Sequence, residues 1–343
     1  MRFKYPGALS FGNAIRISLG TVLLVSWSSV LAQSKYAGES FSVGVGARGL
    51  GMGSAYHTLA TGAEALYWNP AGLARTEGGG GAKNHLAFMH SERFRGEVDY
   101  NFIGYARRTS GSGRHAPTVG LGLIHLGVGG IPVTRLEDPD RPLGPDNRPV
   151  ISRYSSKNDF LLIAGLGRKL SGDLCLGANV KVLHVSQEGA SGNGFGFDLG
   201  AIMPVTLAGI PLLASLSARD VTTSFLAYST GKREYIKPWV SGGLATAEGF
   251  KVPGGRIAGA FEVSVPMERR RKNYRTGTEY LLSLLHLGIE YSIGSRMFLR
   301  GGVDEKHPTF GAGIFVRSLA VDYAWIGHRD LDQTHRVSLG YFF

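Results

Sequence analysis

The sequence predicts an all-β protein, a transmembrane antiparallel β-barrel of about fourteen strands, and three observations carry that prediction. From about residue 83 to Phe343, apolar and small or polar residues alternate with period two, as on a strand, and helical periodicity is scarce. The alternating segments number fourteen, and an even count suits a closed antiparallel barrel. Charges inside the segments fall on the small or polar phase, opposite the Val, Leu, Phe and Tyr phase.

Taken in chain order, residues 1–32 read as a secretory signal peptide. Arg2, Lys4 and Arg16 supply positive charge without an acid, and Ile17 to Trp27 is an apolar stretch of 11 residues. Val30 and Ala32 then stand at positions −3 and −1 of a cut before Gln33. A membrane anchor would need about 20 apolar residues, and the stretch is too short. Residues 33–80 form a second, irregular segment, and residues 81–343 carry the alternation. No later window holds about 18 consecutive apolar residues, which argues against a helical membrane protein.

The fourteen segments centre near residues 87, 102, 121, 163, 179, 197, 215, 242, 260, 286, 299, 312, 322 and 338. The clearest places Leu285, Leu287, Ile289 and Tyr291 on one face and His286, Gly288, Glu290 and Ser292 on the other. Connections after odd-numbered segments include long pieces at 127–157, 220–236 and 266–278, and those after even-numbered segments are mostly short. Outer-membrane barrels have such unequal rims, with short turns on the periplasmic side. A soluble sandwich or propeller would alternate as well, its polar phase facing water. The polar phase here carries Gly177, Gly196, Gly200, Gly288, Gly302 and Gly340, which suits a crowded interior better than a solvated face. The chain ends on Phe343 with Tyr341 in phase, the kind of strand end that outer-membrane barrels present to their assembly machinery.

Lys181, Asp198, Glu262, Glu290, Arg300, Asp322 and Arg336 therefore point into the lumen as candidate ion pairs, since a buried charge needs a partner. Consecutive segments suggest Lys181 with Asp198, Glu290 with Arg300, and Asp322 with Arg336.

Composition excludes several functions. The 51 glycines among 343 residues lack a collagen period, and a single cysteine, Cys175, rules out disulfide scaffolds and cysteine-cluster zinc sites. No HExxH, GxSxG, CxxC or P-loop pattern is present and the ten histidines lack ligand spacing, so neither an enzyme nor a cofactor is expected. The net charge of +11 includes the run Arg269 to Lys272 with Arg275, in an expected external loop. In an exported protein such a run meets lipopolysaccharide phosphates rather than nucleic acid. The proline-rich piece 131–153 is the longest expected loop, an ordered cap or a partner surface.

Gly44 to Ala74 contains a formal GxGxxG at Gly44 to Gly49, but no strand–helix–strand unit with a following acid surrounds it, so it is no dinucleotide fingerprint. The segment reads instead as compact irregular backbone with one short helix over Ala60 to Leu66, ended by Trp68-Asn69-Pro70. GARGLGMGSAY followed by ALYWNPAGLA resembles the N-terminal signature of the PorV/PorQ family, relatives of FadL-type long-chain fatty acid transporters. The ending LAVDYAWIGHRDLDQTHRVSLGYFF resembles that family's last two strands, and Ser54 departs from a usual glycine. The resemblance implies a FadL-like barrel whose N-terminal segment folds inside as a plug, formed by Gly46, Arg48, Met52, Gly53, Trp68, Asn69, Pro70 and Gly72. Arg48 would bond a barrel acid such as Asp322. The resemblance further implies type IX secretion, with type IX components and cargo C-terminal domains as partners; the FadL-like alternative is a conduit for a hydrophobic ligand. Outer-membrane lipid, lipopolysaccharide and the barrel assembly machinery complete the expected partners.

Overall fold

The computed structural model describes residues 38–75, 82–94, 96–110, 115–221, 224–267, 277–327 and 333–343. The expected export signal and the run Arg269 to Lys272 with Arg275 lie outside the described residues. The strands are β1 Asn84–Arg93, β2 Val98–Arg108, β3 Thr118–Leu136, β4 Pro149–Lys169, β5 Cys175–Gln187, β6 Ala190–Leu207 and β7 Ile210–Arg219. They continue with β8 Ser224–Tyr228, β9 Arg233–Ile236, β10 Trp239–Thr246, β11 Phe250–Val252, β12 Gly255–Pro266, β13 Leu285–Ile293, β14 Met297–Asp304, β15 His307–Val316, β16 Leu319–Ile326 and β17 Thr334–Phe342.

Fourteen of these strands, β1 to β7, β10 and β12 to β17, are the staves of a closed antiparallel barrel. Each expected segment is one stave. The barrel closes where β1 pairs with β17, from His85 opposite Phe342 to Glu92 opposite His335. Asn84 and Phe343 exchange two backbone hydrogen bonds, of 2.9 and 3.1 Å, at the end of that seam. The other three strands are additions. β8 and β9 form a hairpin on the first half of β6, whose second half pairs with β7, and β11 edges β12.

The alternation sorts the residues. Outward positions such as Leu121, Val180, Leu199, Ile289, Leu299, Ile314 and Leu339 are exposed, and the inward positions between them are buried. A wall that is apolar outside and polar or small inside suits lipid around a filled lumen. One rim carries tight turns at Ala208–Gly209 and Arg317–Ser318, where left-handed residues Ala208, Gly209 and Arg317 reverse the chain within two positions.

The opposite rim departs from expectation. The piece 127–157 is mostly a hairpin in which β3 and β4 run on past the barrel, with only 137–148 as connection, and 220–236 holds the β8–β9 hairpin. Proline misled the reading of 131–153 as loop. Past Val128 strand β3 pairs only with β4, so Pro132, opposite Tyr154, sits on an edge where a missing N–H costs no ladder bond. The register shift between Val128 and Ile131 adds a bulge there.

Residues 38–75 lie within the barrel as short turns and two brief helices, α1 Ala47–Gly51 and α2 Ala65–Trp68. The chain touches staves all round: α1 meets β14 to β17, Gly62–Glu64 meets β1 to β3, and Pro70–Arg75 meets β3 to β6. The helix expected over Ala60 to Leu66 is displaced. Gly62 takes φ +61, which breaks a helix, and the turn proper starts at Ala65. It ends where Asn69 is extended before Pro70 (φ −157, ψ 110), the conformation forced on a residue preceding proline. The hydrophobic core is this segment's own contact with the wall, Val45, Leu50, Met52, Leu66 and Leu73 packing against Met89, Tyr100, Phe102, Ile124 and Ile163.

Candidate functional site

Glycine decides how closely the internal segment can approach the wall. At Gly302 an added Cβ would stand 2.4 Å from Gly53 N and 2.5 Å from Met52 C, and at Gly288 2.4 Å from Met52 O. Gly53 itself has φ +64, and its Cβ would meet Val303 N at 2.5 Å. Its N–H donates to Thr309 Oγ1 (2.9 Å), which donates in turn to Gly51 O (3.1 Å). On the far side Gly177 faces Pro70, where a Cβ would lie 2.2 Å from the carbonyl carbon, and Gly200 faces Asn69 Oδ1. Gly72 lies against Ala60 O. Backbone thus packs on backbone at two belts, around Gly51–Gly53 and around Asn69–Ala71.

Asn69 Oδ1 accepts from Ala71 N (3.1 Å) and holds the turn, and Trp68 Nε1 donates to Val45 O (2.7 Å). The Trp68 indole meets Tyr56, His57 and Tyr67 edge to face, at centroid distances of 6.0, 5.2 and 5.1 Å. Gly46 (φ 79) precedes α1 and directs its N–H at Met89 Sδ (3.1 Å).

Charges join the two parts. Arg48, on α1, grips Glu290 with Nε to Oε2 at 2.9 Å and Nη2 to Oε1 at 2.7 Å. Glu290 also accepts from Arg300 Nε (2.6 Å), and Arg300 Nη1 donates to Asp322 Oδ1 (2.5 Å). Arg48 therefore bonds Glu290 rather than Asp322. The pairing of Asp322 with Arg336 does not form either. Arg300 reaches over β15 to Asp322 because Gly311 and Gly313 leave the space; a Cβ at Gly313 would stand 2.2 Å from Asp322 Oδ1 and 2.7 Å from Arg300 Nη1. Arg336 instead donates from Nη1 to Val43 O (2.7 Å), and among the described residues no carboxylate lies within ion-pair distance of it. Beside this cluster Tyr56 donates to Glu64 Oε2 (3.2 Å), and burial pushes the Glu64 carboxyl up to about 7.

A second cluster sits toward the long-loop rim. Lys181 Nζ lies 2.7 Å from Asp198 Oδ1 and 2.6 Å from Asp220 Oδ1. Glu262, with no exposed surface, accepts from Thr58 N (2.8 Å) and contacts His57 Nδ1 (2.8 Å). His286 and Ser54 both meet Asp304, each at 2.8 Å. Between these groups lies a cavity of about 300 Å³, walled by Phe41, Tyr67, Trp68, Leu161, Ile163 and Trp239 as well as by Lys181, Arg219 and His57. Sequence reading missed His57, Glu64, Arg219 and Asp220. The first two lie in irregular chain and the last two at a strand end, where no periodicity marks a side chain as inward. At the terminus Tyr341 and Phe343 face outward and stack on each other at 5.3 Å.

The geometry defines a closed fourteen-stranded antiparallel barrel with its own N-terminal chain packed in the lumen. No family model matches the chain, and no curated protein sequence does. Among solved structures it is similar to the Pseudomonas putida toluene transporter TodX, at 15% identity and a TM-score of 0.51, over 87% of this chain and 98% of that one. A Pseudomonas aeruginosa FadL homologue superposes over the same shares, at 12% identity and a TM-score of 0.47. The likeness to TodX is one of fold, a closed antiparallel β-barrel.

Proposed function

We propose that the protein resides in the outer membrane and passes small hydrophobic molecules inward from the long-loop side, with residues 38–75 as its hatch. The observation that carries this reading is a chamber of about 300 Å³ lying directly on the hatch, within the size range of small-molecule sites, in which Phe41, Tyr67, Trp68, Leu161, Ile163 and Trp239 share the wall with charged side chains such as Lys181, Asp198, Arg219 and Asp304. Export through a signal peptide cut before Gln33, assembly by the barrel machinery through Tyr341 and Phe343, and contact with lipopolysaccharide belong to the same reading. The test is uptake of a radiolabelled panel of hydrophobic compounds by wild-type, deletion and complemented strains. Slower uptake in the deletion alone is expected, and equal uptake in all three sinks the proposal.

A second reading, assistance to type IX secretion by binding cargo C-terminal domains, draws on the motif resemblance and on one structural feature. The hairpin of β3 and β4 extends past the rim with Leu143, Ile151 and Tyr154 at 70%, 54% and 67% exposure, apolar side chains placed where a protein partner could dock. Loss of surface-attached cargo in a strain lacking 131–153 would favour it, and intact cargo display would remove it.

A further inference from the structure

On the outer face of β1 and β2 the side chains change character in three steps, starting at the long-loop rim. Glu92 and Asp99 stand opposite each other in register beside the turn that joins the two strands, and His90 and Asn101 form the next outward row. Phe88 and Ile103 form the row below, flanked by Leu339 on β17 and Leu123 on β3. Two carboxylates in direct cross-strand register oppose the pairing of their strands. One ring nitrogen of His90 and one oxygen each from Glu92 and Asp99 lie within 4.8 Å of one another, and all three side chains are exposed. Among the described residues this is the only such group of three.

Asn101 fixes how His90 offers its ring. His90 Nδ1 lies 2.7 Å from Asn101 Oδ1, which can only accept, so the proton sits on Nδ1 and Nε2 keeps its lone pair. Nε2 faces Glu92 Oε1 at 3.7 Å, too far for a hydrogen bond. Metal-binding histidines are set in this manner, the second ring nitrogen donating to an oxygen that fixes the tautomer. Ligands of one zinc ion, each at about 2.1 Å from it, stand roughly 3.4 Å apart, a spacing that exposed side chains reach by small rotations. One nitrogen and two carboxylate oxygens suit Zn²⁺ better than Ca²⁺ or Mg²⁺, which take oxygen ligands. His184 and Asn193 repeat the imidazole–amide pair on β5 and β6 at 2.8 Å, but His184 belongs to no such group of three among the described residues.

The geometry points to a divalent-metal site of the zinc class at His90, Glu92 and Asp99, whose remaining position takes a lipid A phosphate of lipopolysaccharide. A tetrahedral ion with three protein ligands keeps a fourth position for an outside ligand, and this one faces away from the lumen. The groove directly beneath names the lipid. It measures about 470 Å³, its wall is mostly apolar with Phe88, Ile103, Leu123, Val337 and Leu339, and His90 lines it too. His90 thus belongs to both the metal cluster and the groove, so a phosphate on the metal sits where an acyl chain lying in the groove begins. The three rows match an anionic lipid from head to chain. Two carboxylates alone would repel its phosphate, and the cation removes that repulsion. The inference rests on the proposed residence in the outer membrane and is independent of the conduit.

The experiment titrates the full barrel, refolded in detergent free of metal and lipopolysaccharide, with ZnCl₂ by calorimetry. One zinc ion per barrel is expected, bound about tenfold more weakly by His90→Ala and by Asp99→Asn and unchanged in His184→Ala, with heat-resistant gel mobility showing that each variant has folded. CaCl₂ should bind more weakly than ZnCl₂. The barrel is then placed in nanodiscs carrying lipid A, its dephosphorylated form or phosphatidylglycerol, and the lipid retained on repurification is measured with zinc and with EDTA. Zinc-dependent retention of lipid A above the other two, lost in Asp99→Asn, is expected. Zinc binding that His90→Ala and Asp99→Asn leave unaltered overturns the metal site. Zinc at the site with lipid A retained no better than its dephosphorylated form overturns the phosphate as ligand, and equal retention of phosphatidylglycerol overturns the assignment to lipid A. Absence of the barrel from the outer-membrane fraction of cells overturns the residence, while the titration in detergent still decides the metal site.

Discussion

Replacing Gly302 with alanine puts a methyl group where the hatch backbone already is. The new Cβ would stand 2.4 Å from Gly53 N, 2.5 Å from Met52 C and 2.6 Å from Leu287 O, all main-chain atoms that no rotamer change can clear. Relief requires the Met52–Gly53 turn to move away from the wall, which strains the bond of Gly53 N to Thr309 Oγ1. Overpacking of this kind costs about 1–3 kcal/mol, or roughly 5- to 150-fold in the equilibrium between seated and displaced hatch. Gly177→Ala strikes the other belt, with Pro70 C at 2.2 Å and Ala71 N at 2.4 Å. The same substitution at outward Gly259 or Gly301 meets nothing nearer than 4.0 or 3.9 Å and serves as control. The assay pairs the heating midpoint of gel mobility with single-channel conductance in planar bilayers, because a displaced hatch opens the lumen to ions. Lower midpoints and more frequent openings are expected for Gly302→Ala and Gly177→Ala alone. If all four variants melt and conduct alike, close backbone packing does not hold the hatch.

Three further outcomes follow from the charge clusters and the seam. Glu290→Gln takes the carboxylate from between Arg48 and Arg300 and should destabilise the barrel by about 3–5 kcal/mol, read as a lowered unfolding midpoint in urea, whereas Arg48→Gln leaves Glu290 with Arg300 and should cost less. Burial lets Glu64 hold its proton to about pH 7 in the folded protein against an ordinary value of 4.5, so between those limits the folded state binds more protons than the unfolded one. Stability from this group is complete below about pH 4.5 and falls as pH rises through about 7, and Glu64→Gln should flatten that slope in melts run from pH 4 to 9. Asn84→Ala removes the side-chain bonds to Phe343 O (3.0 Å) and Tyr105 Oη (2.7 Å) where the barrel closes, which should lower the heating midpoint by a few degrees and leave conductance unaltered.

The histidine at 57 shows why part of the site was hidden. It stands in chain without a period, flanked by Tyr56 and Thr58, and nothing local marks its imidazole as buried beside Glu262, 205 positions away. Arg219 ends β7 next to Asp220, and sequence alone reads it as a rim charge at a turn. The lumen charges were legible as a set because each shares a phase with small residues on its own strand. Their partners were legible only where direct neighbours sufficed: Glu290 stands opposite Arg300 in register, and Lys181 needs only to reach the adjacent strand for Asp198.

The sequence by itself determined the fourteen staves, where they centre and which of their faces turns outward, because period-two alternation is a property of each strand alone. It also marked the crowded interior through its inward glycines. Tertiary structure decided what fills that interior and which charges meet. Arg300 finds Asp322 across a strand cleared by Gly311 and Gly313, Arg336 finds the Val43 carbonyl of the hatch, and Arg48 finds Glu290. The partners of Arg48 and Arg336 depend on the path of residues 38–75 through the closed lumen, and that of Arg300 on the space two glycines leave across a neighbouring strand.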